Sequence, residues 1–311
     1  FYRFYCTHHF NETKYRLNFD RSIMKQVLSY SGWNIFANMS IAITTQGAII
    51  LINMFFSPII VTARAIADQV NMAANQFVQN FRIAVNPQIV KLYAVENHER
   101  SKQLLLASTK YSYYMMLALC LPICLSAEPL LKLWLGIIPE YTVIFLQIAV
   151  VTSLFQVFDT SFYTALYAKG QIRENAIISP LVLFMAFPIV YILFRLGYSP
   201  ESLAWVMLAC YAILGLLVKP MLLIKIVDYK KKDIVNTFIP CLKVTFVAVP
   251  LPCLLYYYRD VLFPNGIIHL LLLSSICIAC VGLSVWFTGL DKEMKAILLL
   301  FVKRRFKHLR A

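Results

Sequence analysis

Apolar residues dominate eight helix-length stretches of the chain, at 28–56, 59–86, 107–127, 142–167, 175–196, 202–226, 234–257 and 266–289. A helix crossing a hydrocarbon core of ~30 Å needs about 20 such residues, and the segments between these runs carry the charges, glycines and prolines that end helices. The pattern predicts an all-α fold: a polytopic membrane helix bundle of about eight transmembrane helices. One connection, 128–136 (Glu-Pro-Leu-Leu-Lys-Leu-Trp-Leu-Gly), has the amphipathic spacing of a helix lying along an interface.

The second span departs from the others. At 100° per residue, Arg64, Asp68, Asn71, Asn75, Gln79 and Arg82 fall on one stripe about 80° wide. Val70, Phe77, Phe81 and Val85 occupy the opposed side, and Gln69, Gln76 and Asn80 form a second polar row. So much polar surface crosses a membrane only where partners cover it or water fills the space beside it. Amides alone would serve as interhelical hydrogen-bond glue, whereas two arginines on the same stripe favour a wet cavity. Arg64 and Asp68 stand i, i+4 and can pair; Arg82 has no local acid, and snorkelling to the interface is its alternative role.

The other spans carry fewer such groups. Asp159 lies in the fourth span with Thr152, Gln156, Thr160, Tyr163 and Tyr167 on one side, placed either to pair with a base on another helix or to bind a coupling ion. Asn34, Asn38 and Thr45 share a side of the first span, where helix contacts and cavity lining are equally open. Lys219 precedes Pro220 near a helix end and is placed to snorkel; Lys243 sits deeper, in a span interrupted by Pro240, Pro250 and Pro252, a pattern for a hinge or broken helix.

Composition settles what the charge means. Of 311 residues, 60% are hydrophobic and 14% charged, against roughly 25% charged in soluble domains, which excludes a soluble globular enzyme. A net charge of +14 would suggest nucleic acid in a soluble protein, but the basic residues are segregated: alternate connections and the ends hold 22 Lys and Arg against 3 in the remaining connections. The positive-inside rule then puts both termini in the cytoplasm and the charge at an anionic lipid face, so no nucleic-acid partner is needed. Eight cysteines fall mostly in apolar runs and read as core; Cys277 and Cys280 form a C-x-x-C without further zinc ligands, so neither a metal nor a cofactor is expected. His8, His9, His98, His269 and His308 have no carboxylate or cysteine set beside them, no phosphate-binding glycine loop exists, and Asn11-Glu12-Thr13 matches a glycosylation acceptor on the wrong side of the membrane. The chain is therefore not expected to be an enzyme. Phe1 and the lack of an apolar leader in the first 26 residues suggest an amino-terminal truncation.

Three segments carry a family resemblance: Tyr30-Ser31-Gly32-Trp33-Asn34, Asn86-Pro87-Gln88-Ile89-Val90-Lys91-Leu92-Tyr93, and Glu128 to Gly136. In this order they resemble the carboxy-terminal part of a polysaccharide flippase, which carries O-antigen or capsule repeat units, in the multidrug/oligosaccharidyl-lipid/polysaccharide exporter superfamily. The resemblance implies residues 1–26 as a cytoplasmic inter-lobe linker, 27–227 as a six-helix second transporter lobe, 228–290 as two additional transmembrane helices and 291–311 as a basic cytoplasmic tail. It implies a bacterial inner-membrane protein that flips polyprenyl-pyrophosphate-linked oligosaccharide for lipopolysaccharide or capsule assembly. Arg64 and Arg82 become candidates for the pyrophosphate, with Lys243 a poorer one, and H+ or Na+ and glycan polymerase machinery are further partners. An ion-coupled small-molecule antiporter of the same superfamily is the alternative, and a membrane glycan polymerase or acyltransferase the rival from another class.

Overall fold

A computed structural model describes residues 2–10, 20–258, 267–291 and 294–296. The Asn11-Glu12-Thr13 acceptor, Arg259, His308 and the basic tail from Lys303 to Arg310 lie outside the described residues. Every regular element among those described is helical. A short α1 (Tyr2–His9) precedes α2 (Arg21–Phe55), α3 (Pro58–Ala94), α4 (His98–Leu125), α5 (Ala127–Leu135) and α6 (Thr142–Lys169). There follow α7 (Arg173–Phe184), α8 (Ala186–Arg195), α9 (Ser202–Ile213), a π-helical turn at Leu214–Val218, and α10 (Lys219–Ile226). The last are α11 (Lys231–Ala248), α12 (Pro250–Tyr257), α13 (Ile267–Ser284) and a second π turn, Val285–Gly289.

Caps carry several helices past their apolar runs. The Asp20 carboxylate accepts the amides of Ser22 at 2.8 Å and Ile23 at 3.3 Å, so α2 begins seven residues before its hydrophobic stretch at 28. Asn97 accepts from the Arg100 amide at 3.3 Å and starts α4 ahead of 107 in the same way. Pro58 opens α3 at the first helical position, where a missing N–H costs nothing, and Gly170, at φ 74°, ends α6 in the left-handed conformation that glycine adopts freely. Proline breaks other spans: Pro188 interrupts Arg173–Arg195 into α7 and α8, and Pro250 interrupts Lys231–Tyr257 into α11 and α12.

Seven helical spans among the described residues are long and apolar enough to cross a membrane. The eighth expected span forms the 37-residue α3, about 55 Å long at 1.5 Å per residue, but its polar stripe keeps it out of that apolar set. Its buried face includes the small residues Ala63, Ala67 and Ala74 beside Ile60, Val78 and Ile89, and they let it pack closely against α6 and α4 at the centre of the bundle. On one side of this trio α11 and α13 pack on α4; on the other, α2 packs mainly on α7, and α9 on α6. The chain runs up and down, so the polar connections gather at one end, where Lys102 meets Asp233 at 3.3 Å, Lys169 meets Asp228 at 3.7 Å and Lys110 meets Asp291 at 3.2 Å. At the opposite end lies α5, with Leu131 buried and Leu133 and Trp134 exposed, the two-sided surface its sequence predicts.

The π turn before α10 approaches α6 at Gly215, where a Cβ would stand 2.5 Å from the Phe155 carbonyl oxygen. That atom is backbone and cannot swing aside. Gly215→Ala is expected to destabilise the bundle by about 1–3 kcal/mol, the usual range for overpacking, read as a lowered denaturation midpoint in detergent. A midpoint equal to the parent's would show that the two helices separate freely there.

Candidate functional site

The α3 stripe faces a cavity bounded by α2, α6, α7 and α9. It has two connected compartments. The one towards the Ser57–Pro58 turn, of about 520 Å³, is lined by all six stripe residues, Arg64, Asp68, Asn71, Asn75, Gln79 and Arg82, together with Thr45, Gln156 and Tyr211. The one towards the basic end, of about 1160 Å³, is lined by Asn34, Asn38, Trp33, Asn86 and Lys91 from α2 and α3, by Asp159, Tyr163 and Tyr167 from α6, and by Asn175 and Lys219. Gln79, Arg82, Gln156, Thr160 and Tyr211 belong to both, so Arg82 stands at the junction.

The stripe divides by what its members touch. Arg64 Nε donates to Asp68 Oδ2 at 3.4 Å, the i, i+4 pair its spacing predicts, with the Asp68 side chain half exposed to the cavity. Asn75 Nδ2 donates to Ser153 Oγ at 2.8 Å, and that hydroxyl donates to Asn71 Oδ1 at 2.9 Å, so these two amides also hold α3 to α6. Lining and glue are thus properties of the same residues. Ser153 is fully buried, and Ser153→Ala should cost about 1 kcal/mol by leaving both amides short of a partner, measured as a drop in unfolding midpoint. A neutral result would mean that cavity water takes over both bonds.

Arg82 does not snorkel. It is 6% exposed, and its Nη2 donates to the Thr160 carbonyl and, at 3.5 Å, to Thr164 Oγ1, which pins the guanidinium across α6. Lys219 overturns its expectation more completely. Its side chain is 3% exposed, its Nζ is 3.1 Å from Asp159 Oδ1, it donates to Asn175 Oδ1, and it stands 5.4 Å from the Tyr163 ring centroid. The physical reason lies in the preceding π turn: the Lys219 N–H bonds to the Leu214 carbonyl five residues back, where a regular helix would reach four, and Pro220 follows with no N–H at all. The extra residue in that turn rotates Lys219 inward onto α6. Asp159 thereby has its base on another helix, one of the two roles its sequence position allows.

Elsewhere the expected residues are less engaged. Asn34 and Asn38 line the larger compartment, but each amide also donates back along α2, to the Tyr30 carbonyl at 3.1 Å and the Asn34 carbonyl at 2.8 Å. Gln156 lies at the junction, 3.4 Å from Ser153 Oγ. Lys243 is exposed on α11 and belongs to neither compartment, because α11 packs on α4 and α13, away from α3's stripe. Sequence reasoning passed over Trp33, Asn175 and Lys219 as cavity residues; the Lys-Pro step after Gly215 was the one signal of an irregular turn that could have flagged the last.

Among the described residues no group of three or more His, Cys, Asp and Glu could hold a metal ion, and no disulfide forms. Cys277 is buried against the core formed by α4, α11 and α13. Compared with known proteins, the chain matches no family model, no curated protein and no solved structure, so its functional reading rests on the residues and their geometry.

Proposed function

We propose that this chain forms the second lobe and the last two helices of a flippase that carries polyprenyl-pyrophosphate-linked oligosaccharide across the bacterial inner membrane for lipopolysaccharide or capsule assembly. The observation that carries the reading is the cavity beside α3: two guanidinium groups and four other polar side chains on one helix line a single space between apolar helices. Arg64 and Arg82 are 18 residues apart in the sequence, about 27 Å along a helix, so they offer cationic stations at two depths. A charged headgroup needs such a path, while its polyprenyl tail needs only lipid. In this reading α3 is the eighth crossing, kept in the membrane by the cavity on its polar side, and the basic end of the bundle faces the cytoplasm with both termini. Alternating access moves the headgroup, and no bond is made or broken.

An ion-coupled small-molecule antiporter of the same architecture draws its support from Asp68, an acid half exposed in the smaller compartment. The two readings separate in an Arg64→Ala, Arg82→Ala double variant, assayed within the full-length transporter for lipid-linked glycan translocation and for drug efflux. Loss of glycan movement with efflux untouched is expected; unchanged glycan movement would remove the cationic path, and with it the flippase. Covalent change in the glycan during the assay would point to the polymerase or acyltransferase class.

A further inference from the structure

The larger compartment is built for something other than an anion alone. Its wall carries four aromatic side chains, Trp33, Tyr163, Tyr167 and, at the junction, Tyr211, interleaved with the amides of Asn34, Asn86 and Asn175. Two of these rings are neighbours set at an angle: Tyr163 and Tyr167 have centroids 6.4 Å apart at 53°, and Tyr30, outside the lining, meets Tyr167 edge-on at 6.1 Å. Cations hold two of them. The Arg173 guanidinium stands 5.4 Å from the Trp33 ring centroid and Lys219 Nζ 5.4 Å from the Tyr163 ring centroid, cation–π contacts that restrain both rings. Tyr167 is 47% exposed, so its ring is open to a ligand rather than packed in the interior.

A ligand for this wall must satisfy two chemistries at once. A flat apolar molecule would desolvate the amides without pairing them, and a small anion would leave the rings uncovered. A pyranose does both, since the axial C–H bonds of one face lie on an aromatic ring while its equatorial hydroxyls reach side-chain amides. At about 1160 Å³ the space exceeds the roughly 300–1,000 Å³ of drug-sized pockets, which suits several linked sugar rings rather than one. The geometry points to this compartment as the seat of the neutral sugar units, stacked on Trp33 and Tyr167, with the phosphate end of the same molecule directed to Arg82 at the junction. This inference rests on the flippase reading and adds a division of labour to it: rings and amides for sugar, guanidinium for phosphate.

The test uses the full-length transporter in phospholipid nanodiscs, titrated calorimetrically with three probes: maltotriose, tri-N-acetylchitotriose and inorganic pyrophosphate. At least one trisaccharide is expected to bind, about tenfold more weakly after Trp33→Leu combined with Tyr167→Leu, and within about threefold of the parent after Trp33→Phe combined with Tyr167→Phe, which keeps both rings. Pyrophosphate should bind equally to parent and ring variants and lose affinity with Arg82→Gln, which also shows that the ring variants are folded. Trisaccharide affinity that survives the leucine pair, or no trisaccharide binding beside normal pyrophosphate binding, overturns the sugar seat and leaves the flippase reading intact. Ring-dependent trisaccharide binding without any pyrophosphate binding upholds the seat and removes the pyrophosphate-linked substrate instead.

Discussion

Replacing Lys219 by Met is expected to destabilise the folded chain by about 3–5 kcal/mol, more than any other single side-chain truncation in the cavity wall. The ammonium is enclosed, and its removal strands Asp159, whose carboxylate is 17% exposed and has this lysine as its salt-bridge partner among the described residues. The contact at 3.1 Å is ionic without hydrogen-bond alignment, since Asp159 Oδ1 is buried with no hydrogen-bond donor on it. A lone buried charge at membrane depth must either draw water in or take up a proton, and both are unfavourable. Asp159→Asn alone should be nearly as damaging, for it leaves the ammonium with Asn175 and the Tyr163 ring only. The double replacement, Asp159→Leu with Lys219→Met, should recover most of the loss, because a buried pair replaced by apolar residues of similar volume is often neutral. Unfolding midpoints in mixed micelles for the four corners of this cycle measure the coupling. Losses that simply add, or a single replacement costing under about 1 kcal/mol, would mean that water already screens the pair and that Lys219 faces an open channel.

This pair marks the boundary of what the primary structure disclosed. Period and run length were sufficient for the helices: the 3.6-residue arithmetic put Arg64, Asp68, Asn71, Asn75, Gln79 and Arg82 on one side of a helix, and all six line one compartment. The segregation of Lys and Arg between alternate connections corresponds to connections that meet at one end of the bundle. Long-range partners were not legible. Nothing near Asp159 in sequence names Lys219, sixty residues on, and the residue that turns it inward belongs to a π turn in which Gly215 packs on Phe155. A regular helix would have sent that lysine elsewhere, and a snorkelling role was the sound inference from it. Lys243 failed for the complementary reason: a basic residue deep in an apolar span looked like cavity lining, but helix-to-helix docking decides which spans border the cavity, and α11 docks on α4.

Arg82→Gln should lower transport of lipid-linked glycan by about 10- to 100-fold, the loss of one charge-assisted hydrogen bond worth about 1.5–3 kcal/mol, while the bundle remains folded. The argument turns on geometry as well as charge. The guanidinium spends one nitrogen, Nη2, on the Thr160 carbonyl and Thr164 Oγ1, which leaves Nε and Nη1 free to meet a ligand at the junction of the two compartments. A lysine at this position keeps the charge, but its three donors sit on one compact nitrogen and cannot span α6 and the ligand as the broad guanidinium fork does; Arg82→Lys should therefore fall between parent and Arg82→Gln rather than match the parent. Arg64, tied to Asp68 and placed at the far compartment, offers a contrast within the same helix: Arg64→Lys preserves a part-buried i, i+4 pair and should change transport less than twofold. Initial rates in proteoliposomes of the full-length transporter, normalised to folded protein, give the order parent, Arg82→Lys, Arg82→Gln. Equal rates for the lysine and glutamine variants would assign the whole effect to the lost α6 bridge, and parental rates for both would take the guanidinium off the transport path altogether.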